Sequence, residues 1–139
     1  MSTRSSLMRS EDGQALVEFA LVIPVLLLLM LGLVEFSRAW NAQQVLTDVA
    51  RESLRNSVVA NGEFTYDEMR RQIDNALVRA SLDPALADVT VDGWKTGTGT
   101  PARIRIDYEF EFSFIAPLIG WASDDRSLVL STSFVMRNE

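Results

Sequence analysis

The chain has 139 residues, 47% hydrophobic and 23% charged, with a formal net charge of −6. It is too short for two full domains and too apolar for a disordered tail, so one small domain with an accessory segment is expected. The absence of cysteine and histidine excludes a disulfide framework, a thiolate zinc site and the commonest general base, while a lone lysine, Lys95, in an acidic chain provides no basic stripe for nucleic acid.

Met1 to Gly13 reads as a short polar leader carrying Arg4 and Arg9. From Gln14 to Phe36 the residues QALVEFALVIPVLLLLMLGLVEF carry only Glu18 and Glu35 as charges, and a run of this length crosses a hydrocarbon core of roughly 30 Å as a helix. A signal peptide has a shorter apolar region, about 7–15 residues, ending at small residues; a single-pass membrane anchor is the better reading. The basic bias of the leader places its end in the cytoplasm and the remainder outside. Pro24 removes a backbone hydrogen bond inside this helix and predicts a kink, which membrane helices tolerate. Glu35 and Arg38 stand three apart at the outer boundary, as expected of an interfacial ion pair, and Trp40 reads as an interfacial aromatic anchor.

Beyond Trp40, Ala42, Val45, Leu46, Val49, Ala50, Ser53, Leu54 and Val58 recur at three- and four-residue steps, so the helix is expected to continue to about Val59 with one apolar stripe, until Asn61-Gly62 ends it. Thr65-Tyr66-Asp67-Glu68 matches a capping box opening a second helix to about Leu82, with Tyr66, Met69, Ile73, Leu77 and Ala80 on its apolar face. The period then changes. Val89 and Val91 alternate with polar neighbours, segment 102–114 places Ala102, Ile104, Ile106, Tyr108, Phe110, Phe112 and Phe114 on one face, and 127–136 does so with Leu128, Leu130 and Phe134. These are half-buried strands, and Lys95 to Pro101 is a hairpin loop between two of them. The expected fold is α+β: a long helix packed on a small domain with a second helix and a roughly three-stranded antiparallel sheet. The chain divides into a leader 1–13, a membrane helix 14–36, its amphipathic continuation 37–60 and an extracytoplasmic domain 61–139.

The junction at Gly13 carries the most information about function. A charged leader ends in glycine, the apolar helix begins at once, and Glu18 places a carboxylate where insertion costs about 2.5–3.5 kcal/mol at mid-helix and less near the end. Cleavage after Gly13 would expose a positive α-amine on Gln14, which in a helical assembly could pair with Glu18 of a neighbouring subunit and set the register. The alternative from spacing alone is a Glu18 that snorkels to water. The apolar segment Ile115 to Trp121, with Pro117, Leu118, Ile119 and Trp121, is either core or a patch for a partner subunit. Asp83, Asp88, Asp92, Asp124 and Asp125 lack the ordered spacing of a calcium loop and read as solvated surface. No metal, no cofactor and no enzymatic activity are expected; a membrane-tethered enzyme would rest on carboxylates that fall in no recognisable motif.

The stretch Gly13-Gln14-Ala15-Leu16-Val17-Glu18-Phe19-Ala20-Leu21-Val22-Ile23-Pro24, followed by Gly32-Leu33-Val34-Glu35-Phe36-Ser37-Arg38-Ala39-Trp40, resembles the N-terminal pattern of the TadE-like family of pseudopilins. Phe114 to Gly120 and the closing Met136-Arg137-Asn138-Glu139 are similar to that family's far end. The resemblance implies a minor pilin-like subunit of the tight adherence (Tad, Flp-type) pilus system in the bacterial inner membrane. It implies insertion as a bitopic precursor, cleavage after Gly13 by a prepilin peptidase, and partners among other pilins or pseudopilins and the assembly platform. Gln14 would be the mature N-terminus, Glu18 the assembly carboxylate, and Phe19 the residue standing where the major pilin often has tyrosine. An uncleaved envelope protein that recruits assembly or secretion partners through the same helix is the alternative.

Overall fold

The computed structural model describes residues 5–59, 64–115 and 127–138, with side chains from Gly13 onward. Its elements are α1 (Ser5–Val59), α2 (Tyr66–Arg79), a single 3-10 turn (Pro84–Leu86), β1 (Ala87–Asp92), β2 (Pro101–Glu111) and β3 (Ser127–Arg137). The strands form one antiparallel sheet in the order β1-β2-β3, so the α+β fold expected from the residue pattern is the one found.

At 55 residues, α1 is roughly 80 Å long. Its described part takes in Ser5 to Gly13 ahead of the expected start at Gln14, and it continues through Pro24. Its two halves differ in what surrounds them. The most apolar stretch has no buried residue, whereas Ala42, Leu46, Ala50 and Leu54 farther along are fully buried. These meet Met69, Ile73 and Leu77 of α2 and Ile104, Ile106, Tyr108 and Phe110 of β2 in one core. Each buried Leu, Ile or Met among these contributes on the order of 1.5–3 kcal/mol when fully buried, so the stripe on α1 joins stalk and domain into one packed unit.

The capping box of α2 forms as expected: Thr65 Oγ1 accepts the Glu68 amide at 3.2 Å, and the Glu68 carboxylate accepts the Thr65 amide at 2.8 Å. The helix ends at Arg79, three residues before the expected Leu82. Ser81 takes a left-handed conformation (φ 60°), and the Leu82 amide turns back to the Leu77 carbonyl at 2.9 Å, closing the helix end. Tyr66, expected on the apolar face, is 45% exposed and donates its hydroxyl to the Val89 carbonyl at 3.2 Å.

In the central strand β2, burial alternates residue by residue, with Val89↔Ile106 on one side and Ile104↔Phe134 on the other. The hairpin loop between β1 and β2 turns at Gly93, whose φ is 69° and where a Cβ would lie 2.3 Å from the Pro101 carbonyl oxygen; only glycine fits there. The strand expected over 102–114 stops at Glu111, because the amides of Ser113 and Phe114 turn away from the sheet toward a carboxylate of α1. Asn61 and Gly62, the expected end of the first helix, lie outside the described residues.

Candidate functional site

Two groups of candidate residues lie along α1, separated by the exposed apolar stretch. Gly13, Gln14, Glu18 and Phe19 are all exposed on the first half. Glu18 has no hydrogen-bond or ion-pair partner among the described residues of the single chain, Gly13 has open space where a Cβ would stand, and Pro24 lies within the helix. Among the described residues nothing covers these positions.

The second group is packed. Seventeen positions beyond Glu18, or roughly 25 Å along the helix, Glu35 is 1% exposed. Its Oε2 accepts a hydrogen bond from Arg38 Nη1 at 2.6 Å. Its Oε1 accepts the Ser113 amide at 2.6 Å and also the Phe114 amide. The ion pair expected from the i, i+3 spacing is therefore present, and the carboxylate also receives two backbone donors that β2 leaves unpaired as it ends. A buried carboxylate is tolerable only when its oxygens are satisfied in this way.

Arg38 extends the clamp. Its guanidinium lies 5.2 Å from the Phe110 ring centroid and 5.6 Å from that of Phe114, so the cation covers aromatic faces on both sides of the strand end. Trp40 stacks on Phe36 at 6.1 Å and remains 59% exposed, which suits an aromatic ring at a polar–apolar boundary. Farther up, Gln43 Nε2 donates to the Ser131 carbonyl at 3.0 Å, and the hydroxyls of Thr47 and Thr132 lie 3.4 Å apart, fastening β3 to the same helix.

Periodicity could not reveal the Glu35 contacts to Ser113 and Phe114, which join residues 78 and 79 positions apart. The available signal was the carboxylate itself, standing at the end of an apolar run. Pro117, Leu118, Ile119 and Trp121 lie outside the described residues. Among the described residues no cluster of three or more acidic side chains is placed to hold a metal ion.

Stalk and junction together define a class of protein: one helix long and apolar enough to cross a membrane, continued without a break into the core of a small α+β domain and clamped to it at Glu35. Over residues 13–55 the chain is similar to the family described as TadE-like protein. The match takes in Gly13, Glu18, Pro24, Glu35, Arg38 and Trp40 and ends inside the buried stripe of α1, so α2 and the sheet lie beyond it. No curated protein and no solved structure matches the chain.

Proposed function

We propose that this protein is a minor pilin-like subunit needed for assembly of Tad/Flp-type pili, held in the bacterial inner membrane by the first half of α1 with its domain on the extracytoplasmic side. The observation that carries the reading is the division of one 55-residue helix into an uncovered apolar half and a half built into a domain, with the TadE-like match lying across both. A bare apolar helix of this kind is stable in two settings, a bilayer and a bundle of like helices, and a pilin-like subunit passes from one to the other.

In this reading a prepilin peptidase cleaves after Gly13, and the new α-amine of Gln14 pairs with Glu18 of a neighbouring subunit. Pairing of opposite charges in a low-dielectric bundle fixes the register, because a slip leaves both unpaired. Phe19 packs beside the pair, Pro24 allows the helix to bend as it leaves the bilayer, and the partners are other pilins or pseudopilins and the assembly platform. The role is structural and needs no cofactor.

A second reading is favoured by one observation: α1 runs unbroken through Gly13 and Gln14, whereas a peptidase needs an accessible, locally opened peptide. A permanently uncleaved protein would use the same stalk to recruit assembly or secretion partners. The deciding experiment is the intact mass and N-terminal sequence of C-terminally tagged protein, produced with and without the matching prepilin peptidase, alongside Gly13→Ala. A chain starting at Gln14 only with the enzyme and the native glycine is the expected result; an uncleaved leader in every case overturns processing and leaves the fixed anchor.

A further inference from the structure

β3 runs alongside α1 in the same direction, so heights on one can be read against the other. Gln43 meets Ser131, Thr47 meets Thr132, and the Arg51 guanidinium lies 5.2 Å from the Phe134 ring. From residue 43 to 51 the helix climbs about 12 Å, and from 131 to 134 the strand climbs about 10 Å. Extended downward, this correspondence sets Val129 near the level of Trp40 and Ser127 near that of Glu35, the height at which the Glu35 carboxylate holds Ser113 and Phe114. The sheet therefore stands on end beside the helix, with the β2–β3 end low and the β1–β2 hairpin high.

Exposed apolar side chains gather at the low end and come from three separate elements. Phe36 and Trp40 belong to α1, Phe114 follows β2, and Leu128 and Val129 open β3; each is 46% exposed or more. At the high end the exposed Val135 on β3 stands between charges, paired with Arg103 and two residues before Arg137. Resting on the membrane reading of α1, we infer that the low end of the domain is itself a membrane-contact surface, in which Phe114, Leu128 and Val129 enter the headgroup region of the bilayer that the stalk spans. The occupant follows from continuity, because the exposed Phe36 and Trp40 carry the uncovered apolar surface of α1 up to the height of this patch. The headgroup layer spans several ångströms on each side of the hydrocarbon, enough to take in both Trp40 and Val129. Contact is through apolar side chains and not through headgroup charge, since Glu109 is the cross-strand partner of Val129 and Glu111 that of Ser127. The Glu35 clamp gives the contact its geometry: it holds the strand end to the helix, so the depth of the helix sets the depth of the patch.

The test uses the full chain, which has no native cysteine. Single cysteines at Val129, Val135 and Leu26 carry a nitroxide label, one per variant, in phosphatidylcholine nanodiscs, and collision with oxygen is compared with collision with a water-soluble nickel complex. Val129 and Val135 lie on the same face of one strand, roughly 20 Å apart, so each controls for the other. The expected result is several-fold protection from nickel at 129 relative to 135, with the label at 26 fully protected. Equal nickel collision at 129 and 135 with a protected label at 26 overturns the contact surface and leaves the spanning helix intact. Nickel collision at 26 overturns the membrane reading and the contact surface with it.

Discussion

Replacing Glu35 by alanine removes the carboxylate that holds the end of β2 to α1. The loss comprises two charge-assisted hydrogen bonds, from the Ser113 and Phe114 amides, and the Arg38 pair. A hydrogen bond to a charged group contributes roughly 1.5–3 kcal/mol. Phe114 is half exposed, so water replaces part of what is lost and the lower figure applies, giving about 3 kcal/mol for the two amides. The Arg38 side chain is 40% exposed, and its share is no more than about 1 kcal/mol. Glu35→Ala is therefore expected to lower the melting temperature of the full chain in detergent micelles by on the order of 10 °C. Glu35→Gln, which keeps an acceptor oxygen without the charge, falls between the two. Hydrogen exchange locates the effect: the amides of Ser113 and Phe114 open about 100-fold more readily, while those in the centre of β2 follow global unfolding. Parent-like melting of Glu35→Ala, with unchanged exchange at Ser113 and Phe114, refutes the clamp.

Gly93→Ala forces a Cβ to 2.3 Å from the Pro101 carbonyl at a φ of 69°; a loss of about 1–3 kcal/mol is expected in chemical denaturation, whereas Gly97→Ala, with its nearest neighbour 4.0 Å away, meets no clash and is strained only by its φ of 137°. Leu54→Ala empties a fully buried position in the α1 stripe and is expected to cost about 2–5 kcal/mol, read as a lower denaturant midpoint with the leader and apolar half untouched. The Thr65 amide and hydroxyl hold Glu68 below the usual carboxylate range, and Arg105 with Ser131 does the same for Asp107. Both carboxyls bind protons more readily in the unfolded chain, so their stabilisation is present above the ordinary carboxylate pKa of about 4 and is lost as pH falls through the lower folded values. Melting temperature measured against pH should drop on the acid side, and less steeply in the Glu68→Gln, Asp107→Asn double variant. Glu18→Ala is expected to leave melting and membrane retention unchanged while abolishing pilus formation in cells; wild-type piliation removes Glu18 from the assembly role.

The repeating parts of this protein were legible because their causes are local. Apolar side chains at three- and four-residue steps define the stripe from Ala42 to Val58, strict alternation defines β2, and the Thr65–Glu68 spacing closes a capping box that needs no distant partner. The length and apolarity of the run after Gly13 likewise belong to the residues themselves. What tertiary structure decided are the ends and the fastenings. β2 stops at Glu111 despite a pattern that alternates to Phe114, because a carboxylate 78 residues away competes for the next amides. Glu35 reads as half of a surface ion pair until the sheet buries it. The stacking of Phe36 on Trp40 and the exposure of Leu128 and Val129 acquire meaning only when β3 is set beside α1 at a definite height. Periodicity reports which face of an element avoids water; it carries no information about which element meets that face or at what level, since that depends on how the pieces close on one another in space.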